Sequence, residues 1–145
     1  MGMTGGCMCG SVRYELGSEP SDCGWCHCRT CQLFSGAPAM AFASVPVGDF
    51  AWTEGQDQLR WVKTSSFGQR AFCGECGTPL RIAVDYQPDT IDFPIVTLDD
   101  PNAAAPEFHI FWGSKVAWFN PGDDLPKYNK FRPNTRGLEG TEPPE

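Results

Sequence analysis

A chain of 145 residues suits a single domain, long enough to bury one core. Eighteen acidic against eleven basic residues leave a net charge of −7, which argues against the basic footprint of a duplex nucleic-acid binder. No run of eighteen apolar residues is present, so no membrane span is expected, and "MGMTGGCMCG" lacks the basic-then-apolar order of a secretory signal. The expected setting is therefore the reducing cytoplasm, where clustered cysteines favour metal over disulfide.

Sixteen glycines and thirteen prolines cut the sequence into short pieces, a pattern of strands and turns. "SVRYEL" alternates Val12, Tyr14 and Leu16 with polar neighbours, the mark of a half-buried strand. "RTCQLF" reads as a short helix from about Arg29 that must stop before Gly36. "PAMAFASV" places Met40 and Phe42 on one strand face, and "FAWT", "QLRWVK", "RAFC", "LRIAVD", "TIDFPIVTL" and "PEFHIFW" each read as further strands. The expected fold is mainly β, one domain over residues 1–132, followed by a polar, proline-rich, loose tail over 133–145.

Eight cysteines fall in three groups: "GGCMCG", "SDCGWCHCRTC" and "FCGECG". "CGECG" is a zinc-knuckle sequence, its two sulfurs spaced to face one ion and its glycines relieving the turn. "CMCG" is tighter, with Gly10 in the matching place after the second cysteine. Each knuckle offers two ligands, so Cys7, Cys9, Cys73 and Cys76 together can close one tetrahedral zinc, although spacing alone also permits other pairings. In the middle group, Cys26, Cys28 and Cys31 can wrap one metal, with the His27 side chain pointing away from it. Cys23 has three readings. As a fourth ligand it closes the second site, and as a bystander it leaves that site open. Paired with Cys26 it makes a redox "CGWC", a motif that wants a preceding strand where "LGSEPSD" reads as a loop.

The run of "GGCMCGSVRYE", "CHCRTCQLFSGAP", "SSFGQRAFCGECGTPL", "TLDDP", "HIFWGSKVAWF" and "LPKY" resembles the glutathione-dependent formaldehyde-activating enzyme family, which includes centromere protein V. The resemblance runs from about Gly6 to Tyr128. It implies a β-tent of small antiparallel sheets tied by two zinc ions. By position it assigns Cys7, Cys9, Cys73 and Cys76 to the structural zinc, and Cys26, Cys28 and Cys31 to a second zinc regarded as catalytic. Cys23 departs from the family pattern.

Zinc with three thiolates carries a net charge of −1, so it is a weak Lewis acid and a poor activator of water. Capture of a substrate thiol suits it better, since soft thiolates bind zinc well and binding promotes deprotonation. The expected activity is a carbon–sulfur lyase that makes or breaks an adduct of an aldehyde with glutathione or a similar small thiol. A zinc-stapled binding or scaffold module without turnover is the competing class, favoured if Cys23 closes the second site. Arg29 could hold a substrate carboxylate or simply be solvated, and Arg70 is expected to orient thiolates or brace its loop. His109 reads as a packed core residue that could also donate to a substrate. Asp99 and Asp100 shape a turn, while Trp112, Trp118 and Phe119 are expected in the core.

Overall fold

Short alternating segments bounded by Gly and Pro become strands in the computed structural model, which describes residues 2–132. Among them ten strands and one α-helix form: β1 (Met3–Gly6), β2 (Arg13–Leu16), β3 (Ser21–Cys26), α1 (Arg29–Ser35), β4 (Met40–Pro46), β5 (Phe50–Glu54), β6 (Leu59–Ser65), β7 (Gly68–Cys73), β8 (Pro79–Val84), β9 (Thr90–Pro94) and β10 (His109–Ile110). The fold is mainly β, as expected, in two sheets. The expected tail over 133–145 lies outside the described residues. No helix among them is long and apolar enough to cross a membrane.

The smaller sheet has the order β1-β2-β5 and is antiparallel throughout. Its centre is the predicted alternation of β2: Val12, Tyr14 and Leu16 are all fully buried. The Tyr14 ring stacks on Phe50 at 4.8 Å, and its hydroxyl meets Thr97 Oγ1 at 2.7 Å, so the polar end of a buried aromatic is satisfied. The larger sheet has the order β10-β3-β4-β9-β8-β7-β6. It is antiparallel except at its β10 edge, where His109 and Ile110 run parallel to Trp25 and Cys26.

Two core clusters result. One gathers Val12, Tyr14, Leu16, Val45, Leu80, Phe93 and Ile95 between the sheets, together with Cys7, Cys23 and Cys73. The other holds Met40, Phe42, Ile82, Phe108 and Ile110 with Cys26 and Cys31.

The structure departs from expectation at several elements. β1 was not foreseen because "MTGG" has neither apolar alternation nor β-branched bulk beyond Thr4. β3 was not foreseen either; it begins inside the end of the expected loop "LGSEPSD" and runs through "SDCGWC", carrying the candidate ligands Cys23 and Cys26. The strand expected in "TIDFPIVTL" ends at Pro94, which has no N–H to donate, and continues as a 3₁₀ turn over Ile95–Thr97. The strand in "PEFHIFW" shrinks to two residues because Phe111 takes the left-handed conformation, at φ 53°.

Candidate metal centres

The first sulfur set joins two distant turns. Cys7 and Cys9 lie in the loop between β1 and β2, Cys73 ends β7, and Cys76 lies in the turn before β8. All four Sγ atoms lie within 4.8 Å of one another. Cys7 to Cys9 is 3.6 Å and Cys9 to Cys73 is 3.8 Å. A tetrahedron with zinc–sulfur bonds of about 2.3 Å has edges of about 3.8 Å, so this donor set fits that ion.

The two knuckles share a construction. Gly10 N–H donates to Cys7 O at 3.1 Å, and Gly77 N–H to Cys73 O at 2.8 Å. Both glycines take the left-handed conformation, at φ 81° and 83°, which is why the sequence needs them there. Val12 N–H and Glu75 N–H point at the sulfurs of Cys7 and Cys73, at 3.3 and 3.4 Å. The Thr78 hydroxyl draws the Cys76 thiol down to about 6, and that of Ser11 lowers Cys9. The two hydroxyls thus prepare Cys9 and Cys76 as thiolates, the form a metal requires, while burial pushes Cys73 up to about 11.

The second set is local. Cys26 ends β3, Cys28 caps α1, and Cys31 sits in its first turn. Their sulfurs also lie within 4.8 Å of one another, and among the described residues no further His, Cys, Asp or Glu joins them. The Cys31 N–H donates to Cys28 Sγ at 3.3 Å, so the helix start holds the ligand loop in shape. Hydrogen bonds from Cys26 and Cys31 hold the Cys28 thiol far below the ordinary thiol range, while the bond to Cys28 pushes Cys26 well up. Gly36, at φ 66°, ends α1 where the sequence predicted, returning its N–H to Gln32 O at 2.8 Å.

Cys23 belongs to neither set. It is buried in the other core cluster, with its sulfur 3.8 Å from Ser21 O. Cys23 and Cys26 stand three residues apart on one strand and pack into different clusters, so the "CGWC" redox pairing is not formed.

Arg70 is the residue that most changes the second site. It reaches from β7 with both Nη atoms 3.5 Å from Cys31 Sγ, and it is buried. Burial opposes its charge, but the sulfurs of the cluster outweigh that and raise its pKa further. Its guanidinium also lies 5.1 Å from the Phe34 ring centroid. Arg29 is exposed, and its Nη1 donates to Gln32 Oε1 at 3.2 Å. Both arginines, with Cys26, Cys28 and Cys31, line a cavity of about 410 Å³.

His109 lies off the cavity lining and is fully buried, as a packed and hydrogen-bonded core residue. Its Nδ1 meets His27 Nε2 at 2.8 Å, and its Nε2 meets Asp123 Oδ2 at 3.0 Å. A carboxylate accepts from Nε2–H, which leaves Nδ1 as acceptor for His27 Nε2–H. His27 Nδ1 then has no partner and is buried, and burial followed by the nearby His109 lowers the His27 pKa to about 4. The His27 ring faces Trp112 and His109, not the cavity, as its place between two ligands implied.

Sequence reasoning missed the contribution of Gln32, whose Nε2 donates to His27 O at 2.8 Å and to Ser114 O at 3.2 Å. It also missed Asp123, because nothing in "NPGDDLP" marks which carboxylate returns to His109. Trp118, expected in the core, is 74% exposed, since the irregular segment after Ser114 turns it outward. Trp112 and Phe119 are half-buried against His27. Asp99 ties its turn to β1 and β2 through Thr4 and Arg13, and Asp100 caps its own turn by accepting from Asn102 N–H.

This arrangement defines a mainly β protein with one four-cysteine set and one three-cysteine set, the latter at a cavity. The profile of the glutathione-dependent formaldehyde-activating enzyme family matches residues 2–114, and the chain belongs to that family. An uncharacterized lyase of Schizosaccharomyces pombe is 32% identical over 79 residues, 54% of this chain and 56% of that protein. The matched stretch thus spans little more than half of that relative. A crystal structure of a Rhodobacter sphaeroides protein superposes with a TM-score of 0.57 at 18% identity, covering 87% of this chain and 99% of that one. That likeness concerns the fold.

Proposed function

We propose that this chain is a zinc-dependent carbon–sulfur lyase that makes or breaks the adduct of an aldehyde with a small thiol, glutathione or one like it. One observation carries the reading: three cysteine sulfurs gathered at a cavity wall, with Cys23 standing elsewhere. Family membership and the lyase name of the S. pombe relative support an enzyme of this class. The scaffold reading drew its strength from Cys23 as a fourth ligand, and no observation favours it.

Cys7, Cys9, Cys73 and Cys76 would hold a structural zinc, and Cys26, Cys28 and Cys31 a second one. Bound by those three thiolates, zinc supplies a soft position that favours a substrate thiol in its deprotonated form. The chain's own residues do the rest. Arg70 places a buried positive charge beside Cys31, offsetting the negative charge of the thiolates and fixing the Cys31 side chain. Gln32 ties the ligand loop at His27 O to the Ser114 segment, and the Asp123–His109–His27 chain anchors the end of β3 from behind. Apolar side chains such as Phe42, Phe108 and Ile82 exclude water from the cavity.

In the breaking direction the carbon–sulfur bond of a hemithioacetal opens and its electron pair leaves with sulfur. The carbinol oxygen releases its proton to solvent and becomes the aldehyde carbonyl. The making direction is the reverse. The test is direct: zinc-loaded protein with thiol and aldehyde should approach adduct equilibrium faster than the uncatalysed mixture, and Cys28→Ser should remove the difference. No acceleration with any thiol–aldehyde pair would reject the reading.

A further inference from the structure

The walls of the 410 Å³ cavity carry information that lyase chemistry alone does not require. They are aromatic on several sides. Phe42 and Phe108 meet edge to face at 6.1 Å, and Phe131 meets Phe111 at 5.4 Å and Tyr86 at 5.8 Å. Three arginines line the same space; two of them are engaged by a charged or thiol partner, while the exposed Arg29 bonds a neutral amide. Arg70 is forked onto Cys31, Arg29 bonds Gln32, and Arg132 pairs with Asp22 while lying 4.5 Å from the Phe108 centroid. Asp22 and Asp92 add negative charge to the lining.

A charged tripeptide would bring two carboxylates and an ammonium into this space. Arg29 at the rim could meet one carboxylate, but the second carboxylate and the ammonium would be left without a free counter-charge, and charges removed from water in that way cost several kcal/mol each. An uncharged aromatic or branched-aliphatic group would instead gain from burial against these rings. Phe131 and Arg132 lie beyond residues 114, so the wall they build is outside the stretch that the family profile covers.

We infer that the site selects a compact, uncharged thiol or thiol–aldehyde adduct bearing an aromatic or branched-aliphatic substituent, and that Phe131 sets this preference. The thiol end of that substrate rests on the lyase reading above. The apolar end rests on the cavity wall alone.

Calorimetric titration of the zinc-loaded chain with 2-phenylethanethiol, 2-phenylethanol and glutathione tests it without turnover. The thiol with the phenyl group should bind at least about tenfold more tightly than glutathione. Phe131→Ala should cost about tenfold or more of that affinity and leave glutathione within about twofold. Phe131→Leu, which keeps apolar bulk but loses the ring contacts, should cost only about two- to threefold and reads the same preference if the alanine variant fails to fold. Glutathione binding as tightly as 2-phenylethanethiol would overturn the inference, as would Phe131→Ala or Phe131→Leu weakening both thiols equally. If 2-phenylethanol matches the thiol, the thiol chemistry fails while the apolar preference stands.

Discussion

The two sulfur sets use the same ligand and differ in where their cysteines come from. Cys7, Cys9, Cys73 and Cys76 come from two turns more than sixty positions apart, and the sequence between them builds most of both sheets. Cys26, Cys28 and Cys31 come from six consecutive positions at one strand–helix junction and border a cavity. An ion in the first set closes a long loop, so its binding energy becomes folding energy. An ion in the second closes almost no loop and can contribute little to chain entropy. On the proposed function this is a division of labour, in which the long-range cysteines would hold the fold and the local cysteines would serve the cavity.

The sharpest way to break this contrast is Cys73→Ser. Structural zinc in small domains is worth about 10–16 kcal/mol, comparable with or above a whole domain's stability of about 5–15 kcal/mol. The variant should lose its cooperative thermal transition by circular dichroism, and its zinc content should fall from the expected two per chain to one. Cys28→Ser should also lose one zinc, yet shift the melting temperature by only several degrees while the lyase rate falls about a hundredfold or more. Equal unfolding of the two variants would erase the distinction.

Arg70 sharpens the comparison, since the four-cysteine set has no buried guanidinium on its sulfurs among the described residues. Charge-assisted hydrogen bonds are worth about 1.5–3 kcal/mol, so Arg70→Gln should slow turnover by roughly ten- to a hundredfold with zinc content unchanged. Arg70→Lys should recover part of the loss, keeping the charge but not the fork. Cys23→Ser has a smaller expected effect. Zinc should stay at two with an X-ray absorption average near three and a half sulfurs, and stability should fall by about 1–2 kcal/mol in denaturant titration, because a hydroxyl replaces a thiol in an apolar core.

The smallest effect is at Asp99. Arg13, then Thr4, hold its pKa down to about 2. Its folded value is depressed, so its stabilising effect is complete above the unfolded value of about 3.9 and fades as pH falls toward 2. The pair is well exposed and screened, so Asp99→Asn should cost no more than about 1 kcal/mol near neutral pH. Wild type and variant should draw together in acid melts as pH falls through about 2 and converge only below it.

Much of the fold was legible where one local signal agreed with the tertiary outcome. The alternation of Val12, Tyr14 and Leu16 has one stable solution, a strand with that face buried. Gly36 ends α1 because a left-handed position after a helix favours glycine. β1 and β3 were not legible, since neither "MTGG" nor "SDCGWC" carries a two-residue apolar period. Both are strands because their neighbours β2 and β4 offer backbone partners. Trp118 was misread because aromatic bulk predicts burial only on average.

The sequence by itself determined which residue types could hold metal, since cysteine spacing and the glycines that follow are local steric and chemical facts. It also determined, through its alternations, that the frame would be β. Only the tertiary structure decided that Cys23 faces the other core and that Arg70 arrives at Cys31 from 39 positions away. It alone closed the Asp123–His109–His27 chain and brought Phe131 to the cavity wall. Those outcomes depend on strand order and register, which are set by packing summed over the whole chain and leave no mark at any single position.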